Sequence, residues 1–334
     1  MNILVNLTAL SKLSASEQIA LLFLSLFGLL VLVTAGGVVY SLRDRPEPQS
    51  KAAQDNWKQF RRDLNATWWG ACLFWAAWIS GPVGATVLFG VFSFLALREF
   101  ITLMHTRRAD HRTLILAFFV LLPLQYVLVG TRAFDLFSVL IPVYGFLAIP
   151  VVSAFSDDPQ RFLERNAKIQ WGIMVCVYGL SHAPALVLLD FAQHQGRGAF
   201  LLFFLVMVVA FGKIVQTKAS SRLRRRPVAR LIDRDFSLRA WGLGVAAGGL
   251  LGAALYWTTP FRPGQALVMA TIAVAAGSLG ELVMSALKRD AGVRSWGNTS
   301  SVTGAVGLLD RVAPLCFAAP VFFHSVRWYF QLKP

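Results

Sequence analysis

The chain is short of charge, and shorter still of acid. Only 15% of its 334 residues are Asp, Glu, Lys or Arg, and Asp and Glu together number 17. A soluble domain carries about a quarter charged residues, so a water-soluble globule is excluded. Cysteine is scarce. Cys72, Cys176 and Cys316 all lie inside apolar runs, with neither zinc-site spacing nor a paired disulfide framework. They read as small core hydrophobes. Internal repeats and low-complexity segments are absent as well, which removes solenoids and disordered arrays.

Hydrophobic sequence fills the space that charge leaves. Apolar residues make up 56% of the chain, and the mean hydropathy is +0.58. Runs of membrane-spanning length recur at about 18–42, 64–80, 82–98, 112–130, 134–155, 169–191, 198–216, 240–258, 264–287 and 306–326. The pattern predicts an all-α, polytopic integral membrane bundle of nine or ten transmembrane helices. The turn at Gly81-Pro82 separates the second run from the third.

The first run is too long for a signal-peptide core and has no basic cluster ahead of it, so it reads as a retained helix. A Pro-, Gln-, Lys- and Arg-rich stretch follows. It ends in Asn56-Trp57-Lys58-Gln59-Phe60-Arg61-Arg62, which suits a helix lying in the membrane interface. Residues 1–63 are therefore expected to form an extra N-terminal helix and a basic linker, and 64–334 the main membrane domain.

The net charge is +15, from 32 Lys and Arg against 17 acids. The basic residues sit in short loops between apolar helices. That distribution fits the positive-inside bias and anionic lipid rather than nucleic acid. Loops 43–63, 99–112, 156–168, 217–239 and 288–305 are basic, and the intervening turns carry at most one Lys or Arg. This unbroken alternation places the basic loops in the cytoplasm, with both termini outside if ten helices span.

The most informative segment is near the end. It reads Ser285-Ala-Leu-Lys288-Arg289-Asp290-Ala-Gly292-Val-Arg294-Ser295-Trp-Gly297, followed by Gly304-Ala305-Val306-Gly307-Leu-Leu-Asp310-Arg311-Val-Ala313. This spacing resembles the signature of the phosphatidate cytidylyltransferases, or CDP-diacylglycerol synthases, in their larger bacterial branch. The family pattern runs Ser-x-x-Lys-Arg, Lys-Asp, then Gly-His-Gly-Gly-x-x-Asp-Arg-x-Asp. The likeness covers roughly 64–328 and includes Leu97-Arg98-Glu99-Phe100, Gln160-Arg161-Phe162-Leu163-Glu164-Arg165, Leu180-Ser181-His182-Ala183-Pro184 and Ala319-Pro320-Val-Phe-Phe-His324.

The resemblance implies a homodimeric membrane enzyme. It would join CTP to phosphatidate, giving CDP-diacylglycerol and pyrophosphate, with Mg²⁺ bridging the phosphates. Ser285, Lys288, Arg289, Asp310 and Arg311 keep the family frame. Several other positions depart from it. Arg294-Ser295 stands for Lys-Asp, Ala305 for the His and Ala313 for the last Asp. Upstream, an ungapped reading puts Lys213 at a family Asp and Phe236 at the Lys of Ser-Pro-x-Lys-Thr.

Asp310, Asp290 and Glu281 are the acids available to a rearranged metal site. Each also has a structural reading: an interhelical ion pair for Glu281, a surface pair with Arg289 for Asp290, and a pair with Arg311 for Asp310. Arg224, Arg225 and Arg226, with Lys288 and Arg289, form a candidate clamp for phosphate or anionic lipid; the run at 224–226 also suits a charge cluster that only sets topology. His182 reads as a helix–helix hydrogen-bond partner, and Arg98-Glu99 as a snorkelling pair or a headgroup contact.

Two main readings stay open. One is a catalytically impaired family member, a pseudoenzyme of phospholipid metabolism that binds anionic lipid or serves as partner subunit, as a homodimer or beside an active relative. It would need no cofactor. The other is an active cytidylyltransferase that uses Mg²⁺ at Asp310, Asp290 and Glu281. A transporter built on the same bundle is a third, with no pathway visible in the sequence. The topology is checked by placing a single cysteine at position 225. An impermeant thiol reagent applied outside intact cells should leave it unlabelled until the membrane is opened; external labelling would overturn the orientation.

Overall fold

In the computed structural model of the protein, the described residues are 15–42, 64, 68, 72, 75–76, 79–104, 106–189, 191, 198–223, 227–234, 236–293, 296 and 307–331. Among them the chain forms nine helical rods and no strand. These are α1 (Ala15–Leu42), α2 (Gly81–Leu103), α3 (Arg108–Gly130), α4 (Phe134–Ala154), α5 (162–187), α6 (Gly198–Leu223), α7 (Leu238–Ala254), α8 (Pro263–Asp290) and α9 (Leu308–Tyr329). Helices α2, α3, α4, α6 and α8 are each long and apolar enough to cross a membrane. The expected all-α membrane bundle is thus the observed fold. The expected helix at 64–80 falls mostly outside the described residues, and the expected interfacial helix at 56–62 falls wholly outside them.

The chain divides into two compact units, Met1–Gly84 and Ala85–Pro334. In the first, the Trp68 indole N–H donates to Thr34 Oγ1 at 3.0 Å, and Phe27 packs edge-on against Trp68. The second holds the main core.

The close packing of α6, α7 and α8 follows from small residues. Lipid tails are as apolar as leucine, so helices in a membrane associate through tight van der Waals contact where small side chains let backbones approach. Helix α7 carries Ala240, Gly244, Gly248 and Gly252 at four-residue spacing, all buried. A Cβ added at Gly244 would lie 2.7 Å from the Gly212 carbonyl oxygen of α6, and one at Gly248 would lie 2.6 Å from Val274 Cγ2 of α8. Nothing larger than glycine fits those crossings without displacing a neighbour.

Helices α3, α4 and α5 each contain a stretch of π-type widened turns, at Leu116–Leu121, Leu140–Gly145 and Met174–Gly179. Pro123, Pro142 and Pro184 lie in or shortly after them. A proline inside a helix removes an N–H, and in lipid the freed carbonyl is accommodated by such local adjustment.

One end of the second unit is built around Phe100 of α2. Its ring stacks on Trp296 at 5.4 Å, and both side chains are fully buried. Leu97, Ile169, Ile173, Met284, Leu309, Ala313 and Cys316 pack in the same core, which joins α2, α5, α8 and α9. Through Met284 and Leu309 this core adjoins Lys288 and Asp310, the two charged ends of the signature frame.

Candidate functional site

Helix α8 carries Glu281, Ser285 and Lys288 at intervals of four and three residues, which puts them on one face. The two charged members reach in different directions. Glu281 Oε1 accepts from Lys213 Nζ of α6 at 2.6 Å. Lys288 Nζ donates to Asp310 Oδ1 of α9 at 2.7 Å. Acid on α8 meets base on α6, and base on α8 meets acid on α9. The Lys213 and Glu281 side chains keep 41% and 33% of their exposure, and Lys288 and Asp310 keep 21% and 30%.

Asp310 sits in the first turn of α9, where a carboxylate is favoured by the helix dipole. Its second oxygen, Oδ2, accepts the Trp296 backbone N–H at 2.9 Å. Asp310 therefore ties the end of α8 and the segment after it to the start of α9. Arg289 is exposed, and its Nε donates to the Ile232 carbonyl at 3.4 Å, pinning the loop before α7. Phe236, at the end of that loop, is buried, and its carbonyl accepts the Val228 N–H at 3.1 Å. Ser237 then caps α7 by accepting from the Ala240 N–H.

Sequence reasoning put these residues in one region, and the structure joins part of the set. Lys213, Glu281, Lys288 and Asp310 form two ion pairs. Ser285 is half-buried on the same face of α8. Asp290, Arg289 and Arg311 are exposed, and Ala313 is buried in the core at the start of α9. The candidate residues Arg224, Arg225, Arg226, Arg294, Ser295 and Ala305 lie outside the described residues.

The sequence reads Glu99 as a snorkelling partner of Arg98 or a headgroup contact, and the structure gives it a different role. It is buried at 4% exposure near the end of α2. Oε1 accepts the Gly307 N–H at 2.9 Å, and Oε2 accepts the Leu309 N–H at 3.2 Å. The carboxylate thus satisfies two of the free N–H groups at the start of α9, from a position more than two hundred residues away in sequence. Gly307 enters the helix at φ +74°, a left-handed conformation that glycine tolerates at little cost. The sequence signals were its place in the Leu97-Arg98-Glu99-Phe100 likeness and an acid at the end of an apolar run.

A second charged cluster ties α3 to α5. Arg165, 5% exposed, donates from Nε to Asp110 Oδ1 at 2.8 Å and from Nη1 to Asp158 Oδ2 at 2.9 Å. Asp158 lies in the loop between α4 and α5. The backbone N–H of Gln160 holds its carboxyl below the usual range, with Arg165 and Arg107 adding to the effect against partial burial. Its stabilising contribution is therefore complete at neutral pH, and is lost only as pH falls from the ordinary carboxyl value through the lowered one.

This fold and this arrangement define a class: a helical membrane protein with signature residues gathered where α6, α8 and α9 meet. A sequence profile of the cytidylyltransferase family matches residues 61–329, and the chain belongs to that family. It is also 36% identical over 269 residues to YnbB of Escherichia coli strain K12, a protein described as uncharacterised; the match spans 78% of this chain and 86% of YnbB.

The family resemblance implies a divalent cation, and the donors here do not suit one. Such ions draw on several carboxylate oxygens. Both oxygens of Asp310 and both oxygens of Glu99 are already engaged by N–H donors, and Glu281 is engaged by Lys213. Among the described residues, no group of three or more His, Cys, Asp or Glu side chains is placed to hold a metal. The arrangement is suited to positioning cationic groups, since a lysine ammonium has three donors and each lysine here spends one on its partner.

Glu99→Gln should show how far the entry to α9 depends on this carboxylate. An amide offers one acceptor oxygen in place of two, so one buried N–H loses its partner. The expected cost is about 1–3 kcal/mol, read as a lower thermal midpoint in detergent and faster proteolysis within 291–307. An unchanged midpoint and digestion pattern would show that Glu99 does not hold this segment.

Proposed function

We propose that this chain is a phosphatidate-cytidylyltransferase-like membrane protein of phospholipid metabolism that turns over CTP weakly or not at all. It acts as an anionic-lipid-binding or partner subunit. The observation that carries the reading is the pairing of Lys213 with Glu281 and of Lys288 with Asp310. The carboxylates that would serve phosphoryl transfer are neutralised from within. Ser295, Ala305 and Ala313 replace an acid, a His and a second acid of the family pattern. Losing a single charge-stabilising contact can cost on the order of 10²–10³ in rate, although losses within one unit do not add.

Phosphate binding needs less than phosphoryl transfer does. It needs cations at headgroup depth, and those remain. Lys218, Arg222, Arg230, Arg234, Arg289 and Arg311 are exposed on the elements and loops that surround the signature. They form a basic surface of the kind that holds phosphatidate or a related anionic lipid on the cytoplasmic face, and Arg224, Arg225 and Arg226 add three more positive charges to the sequence between them.

The test uses purified full-length protein with labelled CTP, phosphatidate and Mg²⁺, alongside binding to phosphatidate-containing vesicles. The expected result is no significant CDP-diacylglycerol, together with vesicle binding that weakens as salt rises, since exposed charges are screened. Charge reversal across Arg224–Arg226 should weaken the binding. Robust turnover by the unmodified protein would overturn the impaired reading, and vesicle binding indifferent to the reversal would overturn the clamp.

A further inference from the structure

The loop between α6 and α7 holds apolar side chains out from the protein. On a membrane-spanning rod such residues face lipid tails. On a charged connecting loop they have no such explanation. Leu231 keeps 92% of its exposure, and Val228 and Leu238 are exposed beside it.

The backbone fixes them there. The Ile232 and Asp233 N–H groups both donate to the Ala229 carbonyl, at 2.9 and 2.8 Å, and so form a single turn that contains Leu231. The Val228 N–H donates to the Phe236 carbonyl at 3.1 Å and closes the base of the loop. Phe236 is buried, and Arg289 of α8 donates to the Ile232 carbonyl. Leu231 is thus presented by a bonded loop.

Helix lengths place this loop against the bilayer. Helix α6 has 26 residues, about 39 Å at a rise of about 1.5 Å per residue, against a hydrocarbon core of about 30 Å. Its polar last turns, Thr217 to Arg222, therefore reach headgroup level. Helix α7 has 17 residues, about 26 Å, and no such excess. The loop runs along the headgroup zone from one membrane helix to the next, and the surface beside it is lipid.

The charge of the loop says which lipid. Between 217 and 239 there are eight Lys and Arg against two Asp, Asp233 and Asp235. Arg222, Arg230, Arg234 and Arg239 are exposed, and they alternate with the exposed apolar residues. Apolar side chains interleaved with arginine are what an interfacial segment on an anionic membrane requires. A rule that only sets topology accounts for the arginines but not for Leu231.

We propose that the loop at 227–237 is an interfacial anchor for anionic phospholipid. Leu231 and Val228 enter the upper acyl region, and Arg230 and Arg234 hold headgroup phosphates on either side. The anchor rests on the lipid-binding reading given above, and names the segment that enters the bilayer beside the Lys288–Asp310 frame.

The test uses the full-length protein with Leu231→Cys in a Cys72→Ala background; Cys176 and Cys316 are buried. Leu231 is almost fully exposed, so its replacement spares the core. The new thiol carries an environment-sensitive fluorophore, and the protein is placed in nanodiscs of phosphatidylcholine with or without phosphatidate. A lipid with a nitroxide high on its acyl chain serves as quencher. With phosphatidate present, the emission should shift to the blue and lose intensity to the nitroxide, and both effects should be weaker in phosphatidylcholine alone. Arg230→Glu/Arg234→Glu should remove the difference between the two discs. Water-like, unquenched emission in both discs would overturn the anchor and assign Leu231 to a protein partner, while leaving the salt-dependent vesicle binding of the wider basic surface to its own test. Equal quenching in both discs, or a difference that survives the charge reversal, would overturn the assignment of Arg230 and Arg234 to lipid phosphate.

Discussion

Charge placed in a low-dielectric bundle must be compensated, and here helix α8 meets that constraint with its neighbours on both sides. Glu281 faces Lys213 of α6, and Lys288 faces Asp310 of α9. Two unit charges at contact are worth about 1 kcal/mol in bulk water and about 4 kcal/mol at the effective dielectric near a protein surface. The pairs keep part of their exposure, so their net contribution lies toward the low end of that range. Their larger effect is on register. With Ser285 between them, the two pairs fix which face of α8 meets α6 and α9. The Gly244 and Gly248 contacts of α7 set how closely the helices approach.

The same constraint bears on function. In a phosphoryl-transfer site, carboxylates hold cations and lysines hold phosphate. Here the lysines are turned onto the carboxylates, and Asp310 also accepts from the backbone of Trp296. Glu99 does comparable work at the start of α9, accepting from Gly307 and Leu309. The acids of this region hold helices and loops together, and the proposed lipid-binding role rests on the exposed basic residues around them.

Much of the fold was legible in the sequence, because each apolar run reports its own burial. The runs at 112–130, 134–155 and 264–287 became α3, α4 and α8 with ends shifted by a few residues. The signature frame was also legible, since Lys288 and Asp310 lie close enough in sequence for their spacing to be read. Long-range partnerships were not. Glu99 of α2 caps α9, Arg165 of α5 reaches Asp110 of α3, and His324 meets His182 through a separation of more than a hundred residues. No local pattern encodes such contacts. His182 was expected to bond another helix, and its partner there is His324.

Lys213 and Lys288 occupy the carboxylates that a divalent ion would otherwise use. Mn²⁺ binding to the purified protein, followed by electron paramagnetic resonance, tests this most directly. No one-to-one Mn²⁺ site that depends on Asp310 is expected. A stoichiometric Mn²⁺ signal from the unmodified protein, abolished by Asp310→Asn, would contradict it.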